Sequence, residues 1–153
     1  MEQRIDLARV NPAVVEAVTA LQAYVDQSGL DAKLRELIKI RASQINGCAY
    51  CIVMHTRDAR KIGETDERMH LLDAWREAPV FTARERAALA WTEALTLISE
   101  THAPDDVYSE VRRQFSEKEI IDLTAAVAAI NTWNRIAISF RATPQVEGVK
   151  AAA

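Results

Sequence analysis

A chain of 153 residues that is 49% hydrophobic and 27% charged has apolar material for one core and no composition shift marking a second, so a single domain over residues 1–153 is expected. The formal net charge of -3, with basic and acidic residues interspersed, excludes an electrostatic nucleic-acid binder. No apolar run approaches the roughly 20 residues that span a bilayer, and no apolar stretch follows Met1-Glu2-Gln3-Arg4, so the expectation is a cytoplasmic protein that neither crosses nor binds a membrane.

Asn11 is placed to cap, and Pro12 to open, a helix reaching about Gln27, with Ala13, Val14, Ala17, Leu21 and Val25 at helical spacing. Asp31 caps a second helix to about Asn46, where Leu34, Leu37, Ile38 and Ile45 form an apolar stripe beside Glu36. Asn46-Gly47 signals a turn, and Cys48 begins a third helix that runs to about Ile62 and stops at Gly63. Thr65 opens a short helix through Met69, Leu72 and Trp75, which ends before Pro79. Thr82-Ala83-Arg84-Glu85 is a capping box for a longer helix carrying Ala88, Leu89, Trp91, Leu95 and Ile98. After a loop at residues 101–105, Pro104 opens a helix to Phe115, and a second capping box at Ser116-Glu117-Lys118-Glu119 starts a long helix to about Phe140, with a frayed tail beyond Pro144. No strand-like alternation exceeds a few residues, so the predicted fold class is all-α, with roughly six to seven helices and a CxxC at a helix N-terminus. An internal echo also runs from Asp31 to Asn46 and from Ser116 to Asn131, which would make the later unit a packing version of the earlier one.

The chemistry concentrates in the third helix. Both cysteines of the chain and one of its three histidines, His55, lie within eight residues, and helical spacing puts Cys48, Cys51 and His55 on one face. Cysteines at i and i+3 can close a disulfide, and His55 can exchange a proton with Cys51 directly or through a water. In a reducing cytoplasm such a pair is catalytic or metal-binding rather than a structural staple. An antiparallel pairing of the two helices about Gly47 puts Glu36 about 16 Å and His55 about 12 Å from the turn. Glu36 then reaches His55, which it orients. Two rules name different nucleophiles: the positive end of the helix favours a Cys48 thiolate, and proximity to His55 favours Cys51. We follow the histidine, because a placed base removes the proton.

Glu36, eleven intervening residues, Cys48-x-x-Cys51, three more and His55 resembles the signature of the alkylhydroperoxidase AhpD-like branch of the carboxymuconolactone decarboxylase family. The resemblance is close over residues 36–55 and extends loosely over residues 12–140, including Asn131-Thr132-Trp133-Asn134-Arg135. It implies an all-helical AhpD-like domain, a homo-oligomer such as a trimer or hexamer, and reduction of organic hydroperoxides. By position it makes Cys51 the peroxidatic thiol, Cys48 the resolving thiol, and Glu36 with His55 the proton relay. It implies no bound cofactor, but an external dithiol reductant of lipoyl or thioredoxin-like kind. One position departs: Tyr50 stands where alkylhydroperoxidase D carries a histidine, so the relay is shorter.

Each residue has a plainer alternative. The cysteines with His55 and Glu36 could ligate zinc, but one helix lacks the usual second ligand-bearing element, so redox chemistry is preferred and no metal is expected. Glu36 alone would read as an exposed residue paired with Lys33. His70 and His102 are assigned nothing, Trp75, Trp91 and Trp133 are expected core anchors, and Tyr50 either lines the substrate pocket or packs. The function expected is a thiol peroxidase or disulfide reductase. The alternatives are a lactone decarboxylase-like lyase, which needs no dithiol, and a non-catalytic helical oligomer that senses redox state.

Overall fold

The computed structural model describes residues 2–146 and Gly148. Its order is α1 (Leu7–Val10), α2 (Pro12–Gln27), α3 (Ala32–Asn46), α4 (Ala49–Lys61), α5 (Asp66–His70) with a 3-10 turn at Leu71–Ala74, α6 (Ala83–Thr96), α7 (Ile98–Thr101), α8 (Asp105–Gln114) and α9 (Glu117–Phe140). Among the described residues there is no strand. The all-α expectation is met.

Local chemistry accounts for most boundaries. Asp31 accepts from the Leu34 amide at 2.9 Å, and both capping boxes, Thr82 with Glu85 and Ser116 with Glu119, are closed in both directions. Asn11 stands at the start of α2, but its side chain makes no cap hydrogen bond. Two single turns, α1 and α7, raise the helix number above the six to seven expected. The second arises because the long helix predicted through Ile98 breaks at Leu97, where Thr101 Oγ1 instead donates to the Ala94 carbonyl at 2.6 Å. The predicted loop accordingly starts later, at His102, which is left-handed with φ 53°. The expected frayed tail falls mostly outside the described residues.

Helix α3 sits at the centre and packs against α4, α6 and α9. Leu34 and Ile38 face Ala88, Trp91, Leu123 and Val127; Leu37 and Ile40 face Leu72, Trp75, Phe81 and Leu89; Ala42 joins Cys48, Cys51 and Ile130. Glu93 on α6 ties the elements around α3 together. Its partly buried carboxylate accepts from Arg41 Nε and Trp75 Nε1, each at 2.8 Å, and pairs with Arg76. Burial alone would raise its pKa, but these donors outweigh burial and hold it below the ordinary value.

The echo does not extend to three dimensions: α3 stops at Asn46 and turns, whereas α9 runs straight through Asn131. The turn depends on Gly47, at φ 70° and ψ 31°, whose amide donates to the Gln44 carbonyl at 3.2 Å while the Cys48 amide donates to that of Ser43 at 2.9 Å. A Cβ at Gly47 would meet nothing within 4 Å, so its cost is purely conformational. Gly47→Ala should therefore lower the unfolding free energy by about 1–2 kcal/mol in denaturant titrations. An unchanged midpoint would contradict this.

Candidate active site

The antiparallel α3–α4 pair places the sequence-predicted residues in one locus. Cys48 is the N-cap of α4 rather than part of its first turn, and its sulfur accepts from the Cys51 amide at 3.4 Å. Cys51 and His55 follow on the buried face. From α3, Glu36 Oε2 lies 2.9 Å from His55 Nδ1, while Oε1 accepts from Lys39 Nζ at 2.9 Å. Glu36 is buried, not exposed, and Lys33 donates to the Gly63 carbonyl instead.

This arrangement sets protonation states. Burial pushes the Glu36 pKa up, but the hydrogen bond from His55 and the charge of Lys39 prevail, and the carboxyl is held below its ordinary value. An ionised carboxylate only accepts, so His55 Nδ1 carries a proton toward it, and in the neutral ring it is Nε2 that offers the lone pair. Among the described residues no hydrogen bond joins His55 directly to either sulfur; the two groups share a cavity instead. That cavity, of about 410 Å³, is lined by Cys51, His55, Tyr50 and Met54 of α4, by Trp133 and Ala137 of α9, and by Lys39, Gln22, Asp26 and Asp58.

The two thiols, both free and buried, are electrostatically unequal. The Cys51 thiol donates to Cys48, and together with the amides of Cys51 and Tyr50 and the Asn134 carboxamide this outweighs burial and lowers the Cys48 pKa to about 7. The same bond, with burial, pushes Cys51 up. Cys48 faces a separate hollow of about 240 Å³ beside Tyr50, Ile138 and Arg141. Tyr50, exposed between the two spaces, lines both.

Sequence reasoning assigned no role to Lys39 or to the amides beneath the dithiol. Asn46 Nδ2 donates to Asn131 Oδ1 at 3.0 Å and Asn134 Oδ1 at 2.8 Å, and Asn134 Nδ2 donates to Ser43 Oγ at 3.0 Å. Two asparagines three residues apart, following the apolar run Ala125–Ile130, were the available signal. Trp133, half-buried where Trp75 and Trp91 are buried, packs against the Ala42, Cys48, Cys51 and Ile130 cluster and also forms cavity wall. His70 and His102 are exposed, away from the locus. Among the described residues no group of three or more His, Cys, Asp or Glu side chains has metal-binding spacing.

The profile of the carboxymuconolactone decarboxylase family matches residues 12–94, which contain Glu36, both cysteines and His55. The chain belongs to the carboxymuconolactone decarboxylase family. It is an AhpD-like member. The uncharacterized protein YdfG of Bacillus subtilis is 43% identical over 139 residues, covering 91% of this chain and 95% of that protein. The fold is similar to that of ATU0492 from Agrobacterium tumefaciens, a protein of unknown function and candidate antioxidant defence protein AhpD, at TM-score 0.93 and 48% identity over 95% of this chain and 100% of that one. An uncharacterized peroxidase-related protein from Silicibacter sp. TM1040 matches at TM-score 0.79 and 27% identity, over 90% of this chain and 73% of its own.

The unequal thiols generate a pH signature. Iodoacetamide reacts with the thiolate, so alkylation should rise with pH through about 7, on Cys48, rather than around the ordinary 9.0. Mass spectrometry of the alkylated peptide over a pH series checks both the site and the midpoint, and a single wave near 9 would contradict it.

Proposed function

We propose that this protein is a thiol-dependent peroxidase that reduces organic hydroperoxides through its Cys48/Cys51 dithiol. The carrying observation is that Cys51 and His55 line one cavity while Glu36 holds the imidazole by its Nδ1. The kinship with proteins described as peroxidase-related and as a candidate antioxidant defence protein supports the same chemistry.

In the proposed cycle His55 Nε2 takes the Cys51 proton across the cavity, through the bound hydroperoxide or a water. The Cys51 thiolate attacks the terminal peroxide oxygen, the O–O bond breaks, and the alkoxide leaves as alcohol with the proton held by His55. Cys51 is now a sulfenic acid. The Cys48 thiolate attacks its sulfur, the hydroxyl leaves as water on taking back from solvent the proton that Cys48 released in ionising, and a disulfide forms. Dithiol and hydroperoxide thus become disulfide, alcohol and water, with two electrons leaving the sulfurs. The low pKa of Cys48 suits this second attack, since its charge is already present. An external dithiol, lipoyl or thioredoxin-like, returns the pair to the reduced state, and Cys48 is then the better leaving sulfur. A reducing cytoplasm is the compartment that suits such a cycle. A lyase acting on a lactone would leave the dithiol without a task.

Cys51→Ser should abolish hydroperoxide consumption, whereas Cys48→Ser should consume about one equivalent and stop at a sulfenic acid trapped by dimedone. His55→Gln should slow the first step on the order of 10²-fold. Sulfenic acid trapped on Cys48 of the Cys51→Ser protein would reverse the roles of the two thiols. Disulfide formation by strong oxidant without hydroperoxide turnover would leave a redox sensor.

We also propose that the protein assembles as a trimer or hexamer. Helix α2 supports this, because only Val25 of its residues is buried while Val14, Leu21 and Tyr24 are exposed. Light scattering at micromolar concentration should give a mass of three or six chains, and a monomer would reject it.

A further inference from the structure

We infer that Lys39 is a positioning residue of this site: its buried ammonium takes up one oxygen of Glu36 and so keeps His55 neutral and able to receive the Cys51 proton. The inference rests on the function proposed above and extends it to a residue outside the Glu36, Cys48, Cys51 and His55 set.

A lysine is almost never fully buried unless paired, and Lys39 is only 6% exposed. Its Nζ lies 2.9 Å from Glu36 Oε1 and 3.9 Å from Asp26 Oδ1, and it lines the cavity that also holds Cys51 and His55. The other charges facing the cluster can be named. From α3, Arg35 Nε lies 3.9 Å from Asp26; from α4, Asp58 lines the cavity but is paired with Lys61 at 2.7 Å; α9 contributes Trp133 and Ala137, without charge. Two carboxylates, Glu36 and Asp26, therefore face two cations, Lys39 and Arg35, and the cluster is neutral while His55 is neutral.

Without Lys39 the cluster carries an excess negative charge beside the imidazole. The cheapest relief is a proton on His55, which converts a shared hydrogen bond into a Glu36–His55 ion pair. An imidazolium has no lone pair at Nε2. The base is then occupied at pH values where the wild type is ready to react. Lysine serves here through charge rather than shape, which makes the idea separable from a packing role.

The test uses the full chain with Lys39→Gln, Lys39→Arg and Asp26→Asn. The His55 ring is followed by long-range ¹⁵N–¹H NMR across a pH series, and the dithiol oxidation rate with cumene hydroperoxide is measured over the same range. In Lys39→Gln the doubly protonated ring should persist to a pH at least about one unit higher, with the oxidation profile moving the same way, as expected for losing one nearby charge. Lys39→Arg should resemble the wild type. Asp26→Asn, which removes a half-exposed negative charge, should shift both measurements downward. A Lys39→Gln profile that overlays the wild type, or an Asp26→Asn shift in the same direction as Lys39→Gln, would overturn the inference. If Lys39→Gln does not fold, the sign of the Asp26→Asn shift decides, and no downward shift counts against it. Absence of hydroperoxide oxidation in the wild type, with the NMR shifts intact, would defeat the proposed function and leave the coupling of Lys39 to His55 standing.

Discussion

The buried carboxylate of Glu36 is the constraint on which the site turns. A lone carboxylate taken out of water is costly, and removing one partner from a buried pair typically destabilises by about 3–5 kcal/mol. Glu36 meets this by dividing its oxygens between Lys39 and His55. Because Lys39 is one turn along α3 and His55 belongs to α4, the same carboxylate fixes how the two helices lie against each other. The hydrogen bond to His55 and the helix pairing are one set of contacts. The remaining faces of α3 are buried in apolar clusters, so Glu36 has little freedom to move away from the imidazole.

The turn at Gly47 distributes the two criteria for a reactive thiol between two sulfurs. Placing Cys48 at the N-cap lets its sulfur accept from the α4 amides, where partial positive charge gathers. Cys51, one turn on, is a donor in that arrangement and lies instead at the cavity wall with His55. The helix terminus and the histidine therefore do not compete for one cysteine. The Cys51 thiol and the amides of the helix terminus lower the Cys48 pKa, and His55 shares its cavity with Cys51.

Much of this was legible in the sequence because it rests on short-range rules. Capping boxes at Thr82 and Ser116, the Asp31 cap, Gly47 and the spacing of Glu36, Cys48, Cys51 and His55 all act within a turn or between adjacent helices. What escaped depends on neighbours far along the chain. A lysine at i+3 from a glutamate reads as a solvated pair, and only the packing of neighbouring helices around α3 makes Lys39 buried. The Leu97 break has no glycine or proline to announce it; it follows from the Thr101 hydroxyl capturing a carbonyl of the preceding turn. Asn134 meets Ser43 and Asn46 across about 90 residues of sequence, a contact that no local pattern encodes.

That last contact separates the parts of the site by their place in the chain. Glu36, Lys39, both cysteines and His55 fall within residues 12–94, the segment matched by the family profile, whereas α9 lies outside it. Yet α9 supplies Asn134 beneath the sulfurs and Trp133 and Ala137 at the cavity wall. Neighbouring positions on this one helix thus do different work: Asn134, fully buried, holds the end of α3 and the dithiol, while Trp133 shapes the space a substrate would enter. The consequence is physical rather than genealogical. Side chains at 133 and 137 can change the volume and polarity of the cavity without touching the Glu36–His55 hydrogen bond, because that bond runs from α3 to α4.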